Sequence, residues 1–181
     1  MIEQVGPFRM TLRGEGTHFD HVMRAIVYQQ LSGKAAKTIH DRVLALYGGG
    51  VPEPAMLAST PDDQLRACGL SRQKLGYIKD LAARTASGEV PMHRLHEMSD
   101  ADVISTLTQV KGVGVWTAQM FLMFRLGRLD VLPVADLGIQ TAVQRAYRLR
   151  ERATPAQVEK VGTPWRPYAT VASWYLWRSL D

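Results

Sequence analysis

The chain has 181 residues, 46% of them apolar and 22% charged, with 22 Lys and Arg against 17 Asp and Glu. That length suits one compact domain or two small lobes, and the formal charge of +5 permits a polyanionic partner without proving one. The single cysteine, Cys68, excludes an intramolecular disulfide and any four-cysteine cluster or zinc site, and no apolar run reaches the ~18 residues of a membrane span.

The first residues, Met1 to Arg13, carry Glu3 and Pro7 and lack the apolar core of a signal peptide, so a soluble intracellular protein is expected. Within them, Phe8 to Leu12 alternates briefly and allows an extended stretch. Helix starts follow. Thr17–Asp20, Thr60–Asp63, Ser99–Asp102 and Thr154–Gln157 each place a hydroxyl at an N-cap and an acceptor three residues on, and two of them put proline at the first helical position. Apolar residues then recur at helical spacing. Phe19, Val22, Met23, Ile26 and Val27 form one such face, ending in the polar Gln30, and Leu75, Ile78, Leu81 and Ala82 form another. The run Ala118 to Phe124 is apolar nearly all round and predicts a buried helix. Later faces are Ile139, Ala142, Val143, Ala146 and Tyr147, then Tyr168, Val171, Ala172, Tyr175 and Leu176. Gly48–Pro52 and Gly162–Pro164 read as loops, no β-hairpin signature or long repeat is visible, and the expected fold is all-α with eight to ten short helices.

The most informative segment is Leu107-Thr108-Gln109-Val110-Lys111-Gly112-Val113-Gly114-Val115-Trp116-Thr117-Ala118. A helix ends near Thr108, a tight glycine hairpin follows, and a new helix starts near Val115. Two glycines flanking one apolar residue let the backbone turn sharply and approach a partner closely. The next helix offers unpaired N–H groups and its positive dipole end, an arrangement that binds phosphate without reading a base. Glycines at such a corner can also serve packing alone. Further on, Pro133 interrupts the helical pattern and Asp136 stands at the start of the next amphipathic helix. Taken alone, Asp136 reads as an N-cap, worth about 1 kcal/mol.

The hairpin pattern L-x-x-V-K-G-V-G-V-W-T-A followed by Pro133 and Asp136 resembles the helix-hairpin-helix DNA glycosylase superfamily, with its glycine-rich loop and catalytic aspartate. Within it the chain is most similar to alkylpurine glycosylases of the 3-methyladenine glycosylase II type. The similarity runs from about Phe19 to Trp177 and includes A-I-V-Y-Q-Q-L-S, the segment from Gly69 to Ala82, and P-W-R-P-Y-A leading to Trp174-Tyr175.

The resemblance implies a role for each matched residue. Gly112, Gly114 and Thr117 would donate to phosphates of one DNA strand. The carbonyls of Thr108, Val110 and Val113 would hold a monovalent cation, Na+ or K+, that bridges to phosphate; no other cofactor is required. Asp136 would stabilise the oxocarbenium-like sugar as the N-glycosidic bond breaks, and orienting the attacking water is a further role open to it. Bifunctional members carry a lysine where this chain has Trp116, so a monofunctional enzyme using water is expected. Trp116, Trp174 and Tyr175 would line the base pocket, reading the charge of an alkylated purine through aromatic faces. Gln29 matches a pocket-facing glutamine, Tyr28 adds a stacking surface, and Gln30 falls where an apolar wedge often enters the gap left by the flipped base. The family's iron–sulfur branch carries four cysteines near the C-terminus, absent here.

The expectation is therefore two helical lobes around a cleft. One runs over residues 18–128 and contains the helix-hairpin-helix at about 107–124. The other joins 1–17 with 129–181 and carries Asp136. The function expected is excision of alkylated purines from damaged double-stranded DNA by base flipping, by a cytoplasmic monomer. Excision of an oxidised or deaminated base, or DNA binding without catalysis, remain the alternatives.

Overall fold

A computed structural model describes residues 2–181, and among these no strand occurs. The helices are α1 Ile2–Val5, α2 His18–Tyr28, α3 Gly33–Ala45, α4 Pro54–Ser59, α5 Asp62–Ala67, α6 Arg72–Ala86, α7 Asp100–Leu107, α8 Val115–Phe124, α9 Leu137–Ala146, α10 Pro155–Gly162 and α11 Ala169–Arg178, with 3-10 helices at Met92–Glu97 and Thr163–Trp165. The chain divides into two compact units. One comprises Gly14–Ala118; the other joins the described residues up to Arg13 with Gln119–Asp181.

In the Gly14–Ala118 unit, α6 packs against α4, α2 and α5, and α2 packs against α3. The periodic faces of α2 and α6 supply the core. Phe19, Val22, Met23, Ile26 and Val27 are buried, as are Leu75, Ile78, Leu81 and Ala82. Each fully buried aliphatic side chain contributes about 1.5–3 kcal/mol. Helix starts are fixed locally. The hydroxyls of Thr17, Ser99 and Thr154 accept from the backbone N–H three residues on, and Thr154 with Gln157 completes a reciprocal capping box. Ser32 and Ser71, which the sequence reading passed over, cap α3 and α6 in the same way. Thr60 does not cap α5. Its hydroxyl donates back to Met56 O at 2.8 Å and meets the Tyr47 hydroxyl at 2.7 Å, so the N-cap falls on Pro61 without a side-chain bond.

In the other unit, α9 packs on α11 and α10 around Leu132, Ile139, Ala142, Val143, Ala153, Val158, Ala169 and Leu176. The buried side of α11 differs from the aromatic face expected. Ala169, Thr170, Ser173 and Leu176 turn inward, while Tyr168 is 57% exposed. Small side chains at this contact bring the α11 backbone close to α9, and the larger aromatics lie at the flanks. Thr170 Oγ1 accepts from Val131 N at 3.0 Å and donates to Arg128 O at 2.7 Å, holding the segment that leads to α9.

The N-terminal segment begins with the short helix α1, which the sequence did not signal. Phe8–Leu12 forms no strand. Instead Arg13 N donates to Phe124 O at 2.8 Å, Arg125 Nη1 donates to Arg13 O at 2.6 Å, and the Tyr175 hydroxyl donates to Gly6 O at 3.1 Å. At the end of α10, Gly162 is followed by a 3-10 turn rather than an open loop.

Gly162 is buried, and a β-carbon there would sit 2.5 Å from Leu132 Cδ2 and 3.2 Å from the Trp165 ring. Overpacking of this kind costs about 1–3 kcal/mol. Gly162→Ala is therefore expected to lower the urea unfolding midpoint by a corresponding amount; an unchanged midpoint would contradict this packing.

Candidate functional site

Asp136 is the N-cap of α9, as its position after Pro133 suggested. Its Oδ1 accepts from Ile139 N at 2.8 Å, the capping bond. The same oxygen accepts a second bond, from Trp177 Nε1 at 2.9 Å. The backbone on either side is also fixed: Asp136 N donates to Pro133 O, and Gln140 N donates to Asp136 O, both at 2.9 Å. The carboxylate is half-buried. Sequence reasoning singled out Trp174 and missed Trp177.

Trp174 is half-buried on α11 and meets Phe8 and Tyr175 edge-on, with ring centroids 5.1 and 5.0 Å apart. Tyr175 spends its hydroxyl on Gly6 O, so it anchors the N-terminal segment. The remaining surface of Trp174 lines a cavity of about 430 Å³ together with Val5, Pro7, Arg9 and Arg178. Of the two arginines that line it, Arg178 is paired with Asp181 at 2.6 Å.

The hairpin lies in the other unit. α7 ends at Thr108, whose hydroxyl donates to Ile104 O at 2.7 Å, and α8 starts at Val115. Val113 N donates to Val110 O at 3.0 Å and closes the turn. Gly112 has φ +79°, the left-handed region that favours glycine, and a β-carbon there would lie 2.1 Å from Tyr77 Cδ2. Its carbonyl accepts from Gln29 Nε2 at 2.8 Å. Asp80 grips the turn from α6: it accepts from Lys111 N at 2.9 Å and from Arg84 Nε at 3.1 Å. Gly114 differs. A β-carbon there would meet nothing within 4 Å, and its φ is not positive, so nothing inside the protein requires glycine. Thr117 lies in the first turn of α8, where helical geometry leaves N–H groups without an intrahelical partner. Trp116, the second residue of α8, is 49% exposed.

The turn after α2 belongs to the same unit. Lys74 Nζ donates to Val27 O and Gln29 O at 2.6 Å each, capping the end of α2 with a positive charge. Burial lowers the Lys74 pKa from its ordinary value. Gln29 is thus held at both its carbonyl and its side-chain amide. Gln30 sits at φ +55°, an uncommon conformation for a residue with a β-carbon. The exposed apolar side chain of this turn is Leu31, 40% exposed, a residue the sequence reading did not separate from its neighbours. Arg24 places its guanidinium 4.7 Å over the Tyr28 ring, occupying one of its faces. Elsewhere His40 is buried and bonded to Asp20 Oδ1 at 3.0 Å, and among the described residues no cluster of His, Cys, Asp or Glu is placed to hold a metal.

Comparison with known proteins bears on this arrangement. The sequence pattern of HhH-GPD superfamily base excision DNA repair proteins matches residues 23–167, a span that includes the second half of α2, the hairpin and Asp136. A DNA-3-methyladenine glycosylase of Schizosaccharomyces pombe is 35% identical over 182 residues, covering 99% of this chain and 80% of the relative. A crystal structure of a DNA-3-methyladenine glycosidase from Bacillus halodurans superposes with a TM-score of 0.89 at 39% identity, covering 98% of this chain and 81% of that one. The structure of an S. pombe 3-methyladenine DNA glycosylase in complex with abasic DNA superposes with a TM-score of 0.84 at 34% identity, covering 98% and 87%. The matched span takes in both the glycine hairpin and the aspartate-capped helix, and the chain belongs to the HhH-GPD superfamily of base excision DNA repair proteins.

Proposed function

We propose that this protein is a DNA glycosylase that excises alkylated purines, such as 3-methyladenine and 7-methylguanine, from double-stranded DNA by hydrolysing the N-glycosidic bond. The observation that carries this reading is the held carboxylate of Asp136 in a member of a base-excision family whose named relatives are 3-methyladenine glycosylases. Breaking the bond leaves positive charge on the sugar. A carboxylate fixed in advance by two N–H donors opposes that charge with little reorganisation. An alkylated purine is already cationic and departs without a general acid, so the chemistry needs one carboxylate and a water.

The remaining roles follow the same logic. The hairpin holds the strand through phosphate contacts at Gly112, Gly114 and Thr117. The open space around Gly114 supports this, because an approaching backbone gives the glycine a purpose that the protein itself does not. The carbonyls of Thr108, Val110 and Val113 form a hard oxygen donor set of the kind Na+ or K+ accepts; Val110 O already takes the Val113 N–H and keeps a second lone pair. Such an ion would brace the hairpin against phosphate. Gln29 fixes the hairpin to the end of α2, and Gln30 with Leu31 forms the tip that enters the gap left by the flipped base. Exposed Trp116, with Tyr28 beside the same turn residues in sequence, offers the aromatic face for a cationic base. Trp174 and Tyr175 are assigned to the base pocket as further aromatic surface.

Asp136→Asn keeps a side chain able to cap α9 and removes the charge. It is expected to bind DNA as the parent protein does and to lose base release from methylated DNA by about 100-fold or more. Near-parental turnover would overturn the catalytic assignment.

We further propose that the enzyme is monofunctional. Position 116 is an indole, Lys111 pairs with Asp80 at 3.9 Å, and Lys74 is committed to two carbonyls. Borohydride added during turnover is expected to trap no covalent protein–DNA adduct, and product strands are expected to break only after alkali. A trapped adduct at any lysine would refute a water-only mechanism.

A further inference from the structure

We infer that Trp177, held against α9 by the absence of a side chain at Gly138, is a positioning residue that sets the orientation of the Asp136 carboxylate. The inference rests on the catalytic reading of Asp136. An N-cap bond alone places one oxygen near the helix axis and leaves the carboxylate some freedom about its Cβ–Cγ bond. The second donor removes that freedom. With Ile139 N and Trp177 Nε1 both on Oδ1, the carboxylate plane is fixed, and with it the direction of Oδ2.

The indole is itself constrained on several sides. Its ring stacks on Phe124, with centroids 6.0 Å apart and planes 27° from parallel. Its five-membered edge lies over Gly138, where a β-carbon would stand 3.0 Å from Trp177 Cδ1, 3.3 Å from Nε1 and 3.0 Å from Asp136 Oδ1. Any side chain at residue 138 would therefore push against both ends of the hydrogen bond. Gly138 lies in the first turn of α9, where alanine would be the better helix former. The glycine disfavours the helix, and the close approach of indole to carboxylate is what it permits. Trp177 touches no reacting atom in this scheme; it acts through Asp136.

Two variants separate positioning from packing. Trp177→Phe keeps an aromatic ring against Phe124 and removes the N–H. Gly138→Ala keeps every aromatic side chain and forces the indole and the carboxylate apart by a few tenths of an ångström. Each is expected to lower the single-turnover rate of 7-methylguanine release from duplex DNA by about 10- to 100-fold, as small misplacements of a reacting group do. Binding to a duplex carrying a tetrahydrofuran abasic analogue should stay within about twofold of the parent protein, the margin that separates a positioning effect from lost binding energy. The double variant should lose no more than the worse single one, since both break the same bond.

A Trp177→Phe rate equal to that of the parent protein, losses that multiply in the double variant, or an equal loss of DNA binding would each overturn the inference. A lower melting temperature with an unchanged rate would assign Trp177 to packing and overturn it too. Asp136→Asn measured alongside keeps the two readings apart. If Asp136→Asn is inactive while Trp177→Phe is fully active, only the positioning role fails; if Asp136→Asn is active, the catalytic reading fails first.

Discussion

One carboxylate oxygen ties the start of α9 to α11. Asp136 Oδ1 ends the backbone of α9 by accepting from Ile139 N and, from the same position, receives the indole of Trp177. A helix cap and a catalytic carboxylate are usually weighed as rival readings of an aspartate. Under the proposed function they are complementary, because the cap is the means by which the fold holds a charge still. The cap is worth about 1 kcal/mol to the helix, whereas a charge fixed before the reaction begins can contribute several times that to the transition state.

The hairpin follows a different rule. Gly112 is required twice over by the protein's own structure, through its positive φ and through the Tyr77 ring pressed against it. Gly114 is required by neither. Gln29, Asp80 and Lys74 tie the surrounding backbone to α6 and to the end of α2, so the turn is fixed by bonds within the protein. A preformed donor surface of that kind loses little conformational entropy on binding.

Much of this was legible in the residues. The caps at Thr17, Ser99 and Thr154 were readable because each is a bond between residues three apart. The hairpin limits at Thr108 and Val115 were readable because glycine pairs punctuate helices. Thr60 was misread because its hydroxyl bonds backwards into α4, an alternative as local as the cap and invisible in the motif. The face of α11 was misread because periodicity was followed through large aromatics, whereas close helix contact selected Ala169 and Ser173. Trp177 could not be paired with Asp136 from sequence, since 41 residues separate them and only the packing of α11 on α9 brings indole and carboxylate together. The residues that give the turn after α2 its geometry were hidden for the same reason: Lys74 reaches carbonyls 45 and 47 positions away.

The central claim is that this chain releases a cationic purine by hydrolysis. The most direct measurement is chromatography of free bases after the purified protein is incubated with methylated duplex DNA. Release of 3-methyladenine or 7-methylguanine, leaving an abasic but unbroken strand, is the predicted result. DNA that is bound yet yields no free base would contradict the claim and leave a helix-hairpin-helix protein that binds without catalysing.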